Sequence, residues 1–234
     1  MSPRQSRREF LQQAGVGLAA GGMLTLPADA RPTPPSGNPQ LAQIALAQFG
    51  EPPDPVQVAD HLRPTRPSAL GPAYKKGAPF RGKICPPFEP GTVLLISGRV
   101  WGFDTKKPLP GAILDIWHVD IKGNYAMANG DFKNRGRLLT SETGAYEFES
   151  IHPVAYPMGN SGRWRSPHVH FQVSSPGYKT LITELFFEGD PRHAADPLFN
   201  KALIVPIVAK SAHGKGYEAA VFDFVLEALG GQRG

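Results

Sequence analysis

Two histidines separated by one residue, His168-Val169-His170, are the first place in this chain where side chains could share a metal ion. Alternate residues of a β-strand point to the same face, so these imidazoles stand about 7 Å apart at their Cα atoms and can converge on one ion. Val169 and Phe171 then face the opposite way, into a core. The pair by itself fits zinc completed by a carboxylate, with Glu184 or Asp190 available as the third ligand. One cysteine, Cys85, excludes thiolate clusters and iron–sulfur sites, which leaves carboxylates and tyrosines as the remaining hard donors. The sequence contains no Gly-x-Gly-x-x-Gly and no phosphate loop.

An ordered set of motifs surrounds the histidine pair. Asp115-Ile116-Trp117-His118-Val119-Asp120 is followed by Gly123-Asn124-Tyr125, and Gly144-Ala145-Tyr146-Glu147-Phe148 by Pro153-Val154-Ala155-Tyr156-Pro157. Trp164-Arg165-Ser166-Pro167 leads into His168-Val169-His170-Phe171, and Ser175-Pro176-Gly177 follows. From about Pro86 to Leu226 this set resembles the intradiol ring-cleavage dioxygenases, the family of catechol, hydroxyquinol and protocatechuate dioxygenases.

The resemblance implies a non-haem Fe(III) held by Tyr125, Tyr156, His168 and His170, with hydroxide as a fifth ligand. It makes Tyr156 the tyrosinate that leaves when substrate binds, and it places Arg165 beside the iron, where it stabilises negative charge on the substrate ring. The implied reaction is O2-dependent cleavage between the two hydroxyl-bearing carbons of a catechol-type aromatic, giving a cis,cis-muconate type diacid. The donor set suits the ion. Fe(III) is hard and prefers oxygen anions, and a trivalent cation favours the phenolate form of tyrosine. Two phenolates and one hydroxide balance its charge, and a neutral centre is cheaper to bury.

The chain also departs from the family pattern. Glu184 stands fourteen residues beyond His170, where family members commonly carry Gln. The stretch between Tyr156 and His168 is short, which predicts a more open pocket, and the long helical linker through which catechol 1,2-dioxygenases dimerise is lacking. Two other classes compete: a non-catalytic, transthyretin-like binding sandwich, and a zinc hydrolase using His168, His170 and Glu184.

The elements that must position these residues are β-strands. With 26 Gly and 25 Pro in 234 residues, the chain is poor in sequences that tolerate a helix interior. From Gly91 onward, about eight short β-branched and aromatic runs alternate with turn signals, among them 92–101, 112–119, 137–140, 145–149, 168–173, 181–187, 203–208 and 221–226. They predict an all-β fold, an antiparallel β-sandwich over 91–234 of the intradiol dioxygenase type, with three early and three late strands available to form its two sheets. Residues 31–90 read as a Pro-rich arm with one short helix over 41–49. Residues 1–30 read as a twin-arginine signal: Arg7-Arg8, an apolar stretch over 14–26, then Ala28-Asp29-Ala30 as a cleavage site. That predicts export in the folded state, to the periplasm or beyond.

The net charge of +5 is spread along the chain without a run long enough for nucleic acid. No apolar stretch reaches 18 residues, so no spanning helix is expected. The expected partners are a catechol-type small molecule and O2, with Arg165 and the basic balance suited to anionic aromatics, and an oligomer whose composition, homo- or hetero-, is open.

Overall fold

A computed structural model describes residues 62–212 and 214–230. The signal over 1–30 and the helix expected over 41–49 lie outside the described residues. Among the described residues no helix is long and apolar enough to cross a membrane.

Among the described residues twelve strands follow one another: β1 (Val93–Gly102), β2 (Ile113–Trp117), β3 (Arg135–Leu139), β4 (Ala145–Ile151), β5 (Tyr156–Pro157), β6 (Trp164–Arg165), β7 (His168–Ser174), β8 (Leu181–Phe187), β9 (Ile204–Val205), β10 (Val208–Ala212), β11 (Lys215–Val221) and β12 (Phe224–Leu226). One sheet runs β10-β11-β1-β12 with β4 on the other side of β1; the second runs β3-β2-β7-β8-β9. A separate two-stranded ribbon, β5-β6, carries two of the expected site residues.

The sandwich is mixed, not antiparallel as expected. β1 is antiparallel to β4 but parallel to both β11 and β12, and β8 is parallel to β9. Tight turns dictate antiparallel neighbours only for strands adjacent in sequence, whereas β11 and β12 reach β1 after a long crossover and are free to run alongside it. Each sheet therefore mixes early and late strands. Gly98 permits the change of partner. A Cβ there would stand 1.9 Å from the Phe222 carbonyl oxygen, at the break between β11 and β12. The break is pinned by Asp223, whose carboxylate accepts from Arg99 N (2.8 Å) and Trp101 Nε1 (2.9 Å).

The expected run over 203–208 is divided at Pro206, which has no N–H to donate to a ladder. The β10-β11 hairpin has no clear signal in the sequence, because Lys210, Ser211, Lys215 and Glu218 break its apolar pattern.

Alternation along β7 buries Val169, Phe171 and Val173 against Leu94, Ile96, Phe148 and Phe224 of the first sheet. Tyr146 is packed in the same core and donates its hydroxyl to Phe222 O at 2.6 Å. Residues 79–84 run along the edges of β3 and β4, exchanging backbone hydrogen bonds with Arg137 and Glu149 and seating Ile84 in the core. This segment closes a strand edge that would otherwise be open to pairing with other chains.

The second sheet turns its other face away from this core. Pairing across β3-β2-β7-β8 sets Arg135, Trp117, His170 and Glu184 in one lateral row on that face. His118, just beyond β2, is fully buried as a structural residue, with Nδ1 donating to Val119 O (2.7 Å) and Nε2 accepting from Ser150 Oγ (2.6 Å). Burial, before any other cause, lowers its pKa from 6.5 to about 4. The unfolded chain takes up this proton first as pH falls. The stability contributed is complete above pH 6.5 and is lost as pH drops toward 4, by about 3 kcal/mol. Urea unfolding of wild type and His118→Asn at matched metal content is expected to show a flatter acid slope in the variant.

Candidate metal centre

The polar face of the second sheet gathers four side chains around one point. Tyr125 Oη lies 2.9 Å from His170 Nε2, 3.0 Å from Tyr156 Oη and 3.5 Å from His168 Nε2. His168 Nε2 is 3.1 Å from His170 Nε2 and 3.4 Å from Tyr156 Oη. Ligands bound at about 2.0–2.1 Å to one ion are separated by about these distances.

Three different pieces of chain deliver the four donors. His168 and His170 share a face of β7, as strand alternation requires. Trp117 stacks on the His170 ring at 4.9 Å and 5°, fixing its plane. Tyr125 follows a loop shaped by Asp120, whose Oδ1 accepts from Lys122 N (2.8 Å) and Asn124 N (3.0 Å). Gly123 in that loop has φ +76°, and a Cβ there would meet Tyr156 Cβ at 2.8 Å, so only glycine lets the two tyrosine segments approach. Tyr156 is held extended before Pro157 and pairs with Arg165 across the ribbon.

The protonation states agree with a cation site. His168 Nδ1 donates to Ser166 O at 2.6 Å, which leaves the Nε2 lone pair facing the cluster. Burial, and then Arg165, lowers the His168 pKa to about 3; burial, and then His168, holds His170 well below the ordinary range. The Nε2 atoms of His168 and His170 stand 3.1 Å apart, close enough for one cation to engage both rings. Burial raises the pKa of both Tyr125 and Tyr156, so their phenolates form only against a strong positive charge. The donor chemistry thus fits a hard, highly charged metal ion.

Arg165 is buried and makes no direct contact with the four donors in the hydrogen-bond network. Its Nη2 donates to Glu184 Oε2 at 2.7 Å, and its Nε reaches both oxygens of Asp196 at 3.2 Å. Burial opposes the Arg165 charge, but Glu184, Tyr156 and Asp196 outweigh it and raise the pKa. Asp196 is a residue that sequence reasoning misses. It accepts from Ser166 N (2.8 Å), Ser166 Oγ (2.9 Å) and Leu198 N (2.9 Å), and Ser166 in turn orients His168. Asp196-Pro197 signals a turn, but nothing in its spacing ties it to Arg165.

Glu184 forms a buried group with His168 and His170 that could hold a metal, the arrangement a zinc reading calls for. Its Oε1, however, lies 3.3 Å from His170 Nδ1, the nitrogen turned away from the tyrosines. Asp190 is not in that group; its carboxylate accepts from Arg192 N at 2.8 Å in the turn after β8. The tightest donor set is the one built with Tyr125 and Tyr156.

A β-sandwich whose two buried histidines and two half-buried tyrosines converge on one point is an arrangement suited to a non-haem metal centre. A family model described as Dioxygenase matches residues 70–228. The chlorocatechol 1,2-dioxygenase of Rhodococcus opacus is 33% identical over 182 residues, covering 67% of this chain and 70% of that protein. The 6-chlorohydroxyquinol 1,2-dioxygenase of Cupriavidus pinatubonensis is 32% identical over 181 residues, covering 69% of this chain and 64% of that protein. Among solved structures, the dioxygenase domain of a dioxygenase carbohydrate-binding protein fusion from Streptomyces sp. SirexAA-E superposes with a TM-score of 0.61 at 36% identity, covering 71% of this chain and 99% of that one. The chain belongs to the intradiol ring-cleavage dioxygenases, oxidoreductases that use non-haem iron and act on catechol-type aromatics.

Proposed function

We propose that the protein binds Fe(III) through Tyr125, Tyr156, His168 and His170 and cleaves a catechol between its hydroxylated carbons, inserting both atoms of O2 to give a cis,cis-muconate type diacid. The observation that carries this reading is the convergence of the four donor atoms at 2.9–3.5 Å. When bound, the ferric ion supplies a bidentate anchor for the catechol oxygens and draws electron density from the ring. The remaining roles fall to the chain. Tyr156, half-buried at the end of a two-residue strand, accepts a hydroxyl proton from the incoming catechol. Arg165, opposite Tyr156 on the ribbon, faces the negative charge that develops on the ring oxygen. Trp117 and the Ser166–Asp196 pair hold the two imidazoles in place. Catechol and O2 together contain every atom of the diacid, so no external reductant is consumed. In this reading the Arg7-Arg8 segment directs export of the folded protein, where plant-derived phenolics supply the substrate.

The visible spectrum of concentrated protein tests the proposal. Tyrosinate-to-iron charge transfer makes it red to burgundy, the band shifts on adding catechol, and catechol drives oxygen uptake. Colourless protein that stays inactive after iron reconstitution points instead to a binding sandwich, and colourless protein containing zinc to a hydrolase.

A further inference from the structure

Arg165 and Tyr156 sit opposite each other across the ribbon, so a molecule bound beside Tyr156 lies next to the Arg165 guanidinium. That guanidinium is already committed. Nη2 is taken by Glu184 and Nε by Asp196, and only Nη1 has no protein acceptor among the described residues. Both carboxylates stand at ion-pair distance from the permanently charged Arg165 guanidinium, which favours their ionised forms. Asp196 accepts from two backbone N–H groups, the Ser166 hydroxyl and Arg165. Glu184 faces Arg165 with one oxygen and His170 Nδ1 with the other, 3.3 Å away.

Two buried negative charges therefore stand against one positive charge at the substrate's edge of the centre. Among the described residues the other buried cation, Arg135, approaches from the Tyr125 side, 5.9 Å from that ring, with its Nε on Ala126 O. Its electrostatic surroundings include Asp115. The surface charge of +5 attracts anions at long range but is screened by salt, whereas the local imbalance is buried and is not.

Building on the proposed function, we infer that the Glu184–Arg165–Asp196 cluster makes this site select uncharged catechols over catechols that carry a carboxylate. A ring carboxylate must compete with two resident carboxylates for a single guanidinium whose Nη1 alone has no protein acceptor among the described residues. A neutral substituent of the same shape meets no such repulsion.

Protocatechuate and its primary amide differ in charge but hardly in shape, so they isolate the effect. Anaerobic titration of iron-loaded protein, read by the charge-transfer band, compares these two ligands with catechol. The amide is expected to bind at least about 10-fold more tightly than protocatechuate, and Glu184→Gln is expected to narrow that gap to about threefold or less. Protocatechuate binding as tightly as its amide to the wild type overturns the inference without any variant. A gap unchanged in well-folded Glu184→Gln overturns the role of Glu184. If catechol itself leaves the band unmoved, the proposed function fails as well, which is a different result from a loss of charge selection.

Discussion

Tyr125→Phe is expected to bleach or strongly shift the visible band and to lower turnover of catechol by roughly 100-fold or more. The Tyr125 oxygen is the hub of the donor cluster, within 3.5 Å of the other three donor atoms. Phenylalanine keeps the ring and removes only that oxygen, so the loss reports on the centre and not on packing. Removing one anionic donor also leaves the charge of Fe(III) uncompensated in a buried site, which weakens metal retention. Tyr146→Phe is the matched control. Its hydroxyl is also buried but bonds to Phe222 O across the core. Its removal leaves that carbonyl without this donor and costs about 1–2 kcal/mol of stability, with no spectral change. Equal spectral effects in both variants would falsify the ligand assignment. Iron content by metal analysis, the spectrum and oxygen uptake together make the comparison.

Arg165→Met is expected to destabilise the fold more than either tyrosine substitution. It leaves Glu184 and Asp196 buried without their shared counter-charge. Breaking a buried pair from one side costs about 3–5 kcal/mol, which lowers Tm by roughly 10 °C in a domain of this size. The damage spreads to the centre, because Asp196 positions Ser166 and Ser166 orients His168. Metal affinity is expected to fall by about 10–100-fold. Arg165→Lys rescues little, since a single ammonium does not reproduce the guanidinium fork that spans both carboxylates. Thermal unfolding and iron retention under chelator challenge measure the two effects. A methionine variant as stable as the wild type would show that the carboxylates do not depend on Arg165.

The β-rich character and the shared face of the histidine pair were legible because both are local properties, whereas the two tyrosines were picked out only by the resemblance of the ordered motifs to a family. Alternation over 168–173 shows that His168 and His170 share a face whatever sheet they join, and each tyrosine sits in its own short motif beside a turn. Other features depend on partners distant along the chain. The parallel pairing of β1 with β11 and β12 unites segments more than a hundred residues apart, and no turn signal encodes it. The row Arg135–Trp117–His170–Glu184 exists only once the register of four strands is set. Glu184 was visible as a departure from the family pattern, but its place between Arg165 and His170 was not. Asp196 gave no sign of its role, since an aspartate in a turn looks the same whether it faces water or a buried guanidinium. Identity and alternation are written residue by residue, and they supply the candidate donors. Register and burial are collective, set by which surfaces exclude water together, and they decide where the donors meet and what charge surrounds them.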